Sequence, residues 1–172
     1  VRRYMTEHRV VFDSALGDFY EYDAAMGIWQ KQPVETIKRR FLNDLETTAR
    51  DADLPLLHFK LNDALATSLA NLLRTLAAQH DVFATRPQAI HVKNGMLCRE
   101  GDELVLREFS PEFYSRNMCP YEFDENAECP RFKAELLGSA LDNDDITLIQ
   151  KWSGACLLGR NQAQRLLLLL GM

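Results

Sequence analysis

The sequence has no apolar stretch long enough to cross a membrane. Its longest aliphatic run, Leu166 to Leu170, is far short of the roughly 20 residues that a bilayer-spanning helix needs. The opening VRRYMTEHRV holds no apolar core of signal-peptide length. An excess of positive charge is also lacking: 20 Lys and Arg stand against 25 Asp and Glu, a formal net charge of -5. A globally basic nucleic-acid binder is thereby excluded, and any phosphate-binding surface has to be local. Cysteine is sparse, and the four at 98, 119, 129 and 156 form no CxxC pair. With no sign of secretion, the simplest expectation is reduced thiols in a cytoplasm. Cys119, Cys129 and His91 match no zinc spacing. Internal repeats and low-complexity segments are missing too.

What is present is one substantial core: 172 residues with 47% hydrophobic content can bury a globular interior. FYEYDAAMGIWQKQ, residues 19 to 32, sets Tyr20 and Tyr22 at alternate positions, turns around Asp23 to Gly27, and resumes with Ile28 and Trp29, which predicts a β-hairpin. Pro33 suits the first turn of a helix whose apolar face is Val34, Ile37, Phe41 and Leu45, running to about Arg50. Asp51 to Pro55 breaks the pattern. Asn62 then caps a second helix with Leu65, Leu69, Leu72 and Leu76 as its stripe, expected to pack on the first. IHVKNGMLCREGDELVLREF, from Ile90, predicts a second hairpin or short meander with turns at Asn94-Gly95 and Glu100-Gly101-Asp102. SPEFYSRNMCPYEFDENAECP is too aromatic for disorder and reads as an ordered loop. Pro130 opens a helix with Phe132, Leu136 and Leu137, and LDNDD caps another through Ile146, Ile149 and Trp152, ending near Gly159.

RLLLLLGM closes the chain. Five consecutive leucines suit a strand buried on both faces, as in the parallel sheet of an α/β domain, yet no βαβ unit here pairs with it. A short helix end packed on this domain is the alternative, since leucine also favours helix. Gly171 stands where a phosphate-cradling GxxxxGK[ST] loop would begin. Starting at Val1 and stopping after the leucines, the chain reads as an excerpt. The expected fold is α+β: a mostly helical domain with two β-hairpin regions, followed by a helical tail.

The order of these segments carries a resemblance. YEYDAAMGIW, HVKNGMLCREGDELVLREFSPE, MCPYEFDENAECPRFKAEL and WSGACLLGRNQAQRLLLLLGM together resemble the phage and plasmid primase-helicases, whose pre-helicase domain is shared with the poxvirus replicative helicase. Pro120 to Pro130, with Ala127 and Cys129 in register, is the most specific part, while Cys98 stands where that family often carries an acidic residue. The resemblance implies a collar-like pre-helicase domain over residues 1–128. On the resemblance, residues 129–172 would be the helical lead-in to, and first strand of, the α/β ATPase domain of a superfamily three helicase, the rest of which lies beyond this sequence. The parent would be a ring-forming ATPase that uses ATP and Mg and moves along single-stranded DNA.

On that reading the chain itself is non-catalytic, serving subunit assembly and strand guidance. The alternatives are a primase-like nucleotidyltransferase using Asp142, Asp144 and Asp145, or a free-standing interaction adaptor. Lys38, Arg39 and Arg40 are the densest basic cluster and the candidate phosphate contacts, although a solvated helix face with Glu35, Asp44 and Glu46 nearby explains them with less. Tyr20, Tyr22 and Trp29 fit either a base-stacking platform or hairpin core. Helix capping accounts for the three aspartates more simply than a metal pair does. The histidines 8, 58, 80 and 91 have no catalytic spacing. Gly171 is the nucleotide-binding candidate.

Overall fold

The computed structural model describes residues 1–52, 61–84, 89–158 and 166–168. The chain forms two compact units, one of Val1–Pro87 with Phe109–Met118, the other of Gln88–Glu108 with Cys119–Met172. Both mix helix with small sheets, so the α+β expectation holds.

The first unit opens with a helix that the sequence pattern did not announce, α1 (Arg2–His8). It stops because Arg9 takes a left-handed φ of 42°, which lets its N–H bond Met5 O. Strands β1 (Val10–Asp13), β2 (Asp18–Asp23) and β3 (Ile28–Gln32) follow. The predicted hairpin is thus the outer half of a four-stranded sheet of order β3-β2-β1-β4, with β4 (Ala78–Gln79) parallel to β1. Each tight turn is built by an aspartate: the carboxylate oxygen Oδ1 of Asp13 accepts from the N–H groups of Ala15 and Leu16, and that of Asp23 from Ala25 and Met26. Gly27 closes the second turn at φ 67°, and a Cβ there would lie 2.4 Å from the Phe109 ring, so both backbone and neighbour require glycine.

Helices α2 (Val34–Asp51) and α3 (Asp63–Leu76) pack together against one sheet face. Pro33 precedes α2, and Asn62 Oδ1 accepts from Leu65 N at 2.9 Å to cap α3. The leucine stripe expected on α3 is met in part: Leu65 is partly buried and Leu69 packs against the core. The buried residues of α3 are Ala66, Ala70 and Leu73, whereas Leu72 and Leu76 are exposed. Small alanines let α3 lie close to its neighbours, and the two exposed leucines are displaced to the rim. Period-two alternation divides the sheet between two cores. Val10, Phe12 and Phe19 face Tyr4, Ile37, Phe41 and Leu73, while Val11, Tyr20, Tyr22 and Trp29 pack with Phe83 on the other side. Ile37 and Leu73 are fully buried, worth about 1.5–3 kcal/mol each on area grounds.

The second unit carries the predicted meander: β5 (Ala89–Val92), β6 (Gly95–Glu100) and β7 (Glu103–Arg107), antiparallel in that order. Asn94 clamps the following loop by donating to Phe123 O and accepting from Phe123 N, both at 2.9 Å. Cys119 N donates to His91 O at 2.8 Å on the outer side of β5. Pro130 opens a helix as expected, which widens at once into a π-helix over Phe132–Leu137 and buries no side chain. Helix α4 (Asn143–Leu157) is capped as expected, Asp142 Oδ1 accepting from Asp144 N and Asp145 N. Leu166 to Leu168 adopt no regular structure, and Leu166 is 82% exposed, so the expected strand is not formed by these residues. Among the described residues nothing offers them a neighbouring strand. Pro55, Gly159, Leu169, Leu170 and Gly171 lie outside the described residues, as does His58.

Candidate nucleic-acid interface

The basic cluster on α2 is resolved by the helical turn into three different environments. Ile37 and Phe41 point into the core, so Lys38, Arg39 and Arg40 fan out around the remaining arc. Lys38 is drawn inward, its side chain only 18% exposed, with its Nζ 3.7 Å from Glu35 and 3.6 Å from Asp63. It ties α2 to the start of α3. Arg40 leans the other way and pairs with Glu21, while its guanidinium donates to the Tyr4 hydroxyl at 3.4 Å. Arg39 alone of the three is exposed and makes no hydrogen bond or ion pair with a described residue.

Glu21 is the hub that the sequence reading missed. It sits on β2 between Tyr20 and Tyr22, so strand alternation turns it away from them and toward α1 and α2, where its two oxygens take Arg40 and the Nδ1 of His8 at 3.0 Å. An acidic residue interrupting alternate tyrosines was the available signal. The Tyr4 hydroxyl is pushed above its usual pKa by burial, and the bond to Tyr4, followed by that to Glu21, raises the Arg40 guanidinium further. Two of the three cations are therefore neutralised within the fold.

The aromatic residues take the core role. Tyr20, Tyr22 and Trp29 are buried, with Trp29 stacked on Tyr114 at 5.9 Å and its indole N–H donating to Pro111 O. A base-stacking platform needs open faces, which these rings do not present. Exposed Arg116 covers this cluster, its guanidinium carbon 4.6 Å from the Phe83 ring centre, another contact that no sequence pattern signalled. A cleft of about 310 Å³ lies beside α1 and α2; Glu7, Asp44 and Asp51 line it against a single Arg3, which pairs with Glu7, so its charged lining is acidic on balance and disfavours phosphate. His80 Nδ1 meets the Ser14 hydroxyl at 3.2 Å. Among the described residues no group of three or more His, Cys, Asp or Glu side chains is placed to hold a metal ion.

The family model described as D5 N terminal like matches residues 1–137. The chain belongs to this family. D5 N terminal like domains are found in phage and plasmid primase-helicases and in poxvirus D5 proteins, which accords with the resemblance of the ordered segments. No curated protein and no solved structure matched the chain. The match takes in the whole first unit, both sheets and the loop clamped by Asn94. The basic helix, the Glu21 hub and the aromatic core are thus all features of a D5 N terminal like domain, and α4 follows the matched residues.

Proposed function

We propose that this chain is a non-catalytic domain of a phage- or plasmid-type primase-helicase, acting in subunit assembly and in guiding single-stranded DNA. The observation that carries this reading is the family match across residues 1–137, since that family occurs in primase-helicases. Residues 1–128 form the pre-helicase domain and 129–172 lead into the motor. Two features support the roles. Beyond the matched residues, α4 buries no side chain and exposes Leu148 and Leu157, apolar surface suited to a subunit contact. On α2, Arg39 is an exposed cation with no partner among the described residues, the kind of contact that meets phosphate without reading sequence. ATP and Mg belong to the parent's motor, with Gly171 at the start of its phosphate loop, and no role given to the described residues runs through them. The parent works in a cytoplasm.

Size-exclusion chromatography with light scattering tests assembly. Anisotropy of labelled single strands at rising salt tests the DNA contact, with binding expected to weaken steeply with salt, to ignore sequence, and to fall in Arg39→Glu. A strict monomer without affinity for single strands would overturn both roles.

A further inference from the structure

The outer edge of β7 has an order of residues that is complementary to itself. Glu103, Leu104, Val105, Leu106 and Arg107 form the last strand of the β5-β6-β7 sheet, and their outward edge bonds to no other described residue. Glu100 and Glu103 face each other across the two-residue turn Gly101-Asp102, so they must be a hydrogen-bonded pair. Antiparallel alternation then assigns Glu103, Val105 and Arg107 to bonding β6 and turns the N–H and C=O of Leu104 and Leu106 outward. An edge of this kind, carrying no proline, lysine or bulge, is a template for another strand.

We infer that β7 pairs antiparallel with β7 of a second copy of this chain, about a two-fold axis at Val105, to give one continuous six-stranded sheet. This deepens the assembly half of the proposed function and rests on it. The register follows from the residues. With Val105 opposite Val105 of the other copy, Leu104 meets Leu106 in the two hydrogen-bonded positions, which are those whose backbone groups point outward. Glu103 meets Arg107 at each end. Leu104 and Leu106, 58% and 38% exposed, would share one face as a cluster of four leucines. The opposite face would carry the two valines between two carboxylate-guanidinium pairs. Arg107 pairs with Glu100, four residues along β6 from its cross-strand partner Met96, so its guanidinium lies toward the hairpin turn; its side chain is 55% exposed, and in the dimer it exchanges Glu100 for Glu103 of the other copy. A one-residue shift would oppose backbone groups that do not match, and a two-residue shift, which matches them again, would lose both charge pairs, so the register centred on Val105 is the one selected.

The test is sedimentation equilibrium of the full chain and three variants: Glu103→Arg, Arg107→Glu, and the two changes combined. The wild type is expected to dimerise reversibly. Each single change sets like charges opposite at both ends and is expected to weaken the dimer constant by about tenfold or more, while the combined change restores opposite pairs and recovers it. Circular dichroism confirms that each variant is folded. Val105→Cys, made together with Cys98→Ala because Cys98 lies directly opposite Val105 on β6, supplies an independent readout, because the symmetric non-hydrogen-bonded position brings the two Cα atoms to about 4.5 Å, within disulfide reach. Under mild oxidation a covalent dimer should form, and peptide mapping should place its disulfide between position 105 of one chain and position 105 of the other, beyond any crosslinking through the native thiols. An oligomer unmoved by the charge changes, or Val105→Cys without that link, would overturn the β7 contact and leave assembly through another surface standing. A monomer at every concentration would remove assembly as well.

Discussion

At the residue scale, neighbours in sequence are divided by which way a helix or strand turns them. Lys38, Arg39 and Arg40 are one basic cluster on paper and three different groups in space. Lys38→Ala should lower stability by less than about 1 kcal/mol, because Asp63 at the far end of its tie is well exposed, and should leave single-strand affinity nearly unchanged. Arg39→Ala should do the reverse, with an unchanged urea midpoint and weaker anisotropy binding. Ile37, beside them, is fully buried, and Ile37→Ala should cost about 2–5 kcal/mol in the same denaturation experiment. The buried tyrosines add a pH dependence. Burial raises the pKa of Tyr4 and Tyr22 above the ordinary 10.0. Their contribution is fully present below that value, because both folded and unfolded tyrosines are then protonated. It is lost as pH rises, since the unfolded chain ionises first and releases protons that the folded chain retains. Urea midpoints should therefore fall as pH rises above about 10, less so in Tyr4→Phe.

At the element scale, local chemistry was legible wherever it acts within a few residues. Asn62 and Asp142 cap helices as their positions foretold, and the turns at Asp23 to Gly27 and Gly101 stand where the sequence put them. Asn62→Ala should lower stability by about 1 kcal/mol, since it leaves the first turn of α3 short of one acceptor. Helix faces were harder. The α3 stripe was read from its leucines, of which Leu69 packs on the core, but the buried positions are Ala66, Ala70 and Leu73, one step round the helix from Leu65, Leu69 and Leu72. Leu72→Ala, at a position 47% exposed, should therefore cost well under the loss from Leu73→Ala. Strand β1, all four residues buried, gave no alternation to read, and two-residue β4 is defined only by its pairing with β1.

At the scale of the whole molecule, the α+β class and the family were legible because they rest on the order of segments, which pattern preserves. The Glu21 hub and the Arg116 cap on the aromatic core were not, because each depends on residues far apart in sequence meeting in the folded chain. The interleaving of the two units, in which residues 109–118 return to the first after the chain has built β5 to β7, is likewise invisible to any local reading.

Sedimentation velocity of the full chain mixed with a fluorescently labelled single strand, followed at the dye's wavelength and the protein's, reads assembly and DNA contact together. A species heavier than one chain that carries the dye, and releases it as salt rises, is the expected result. A boundary of single chains with the label sedimenting as free DNA would contradict the proposed role.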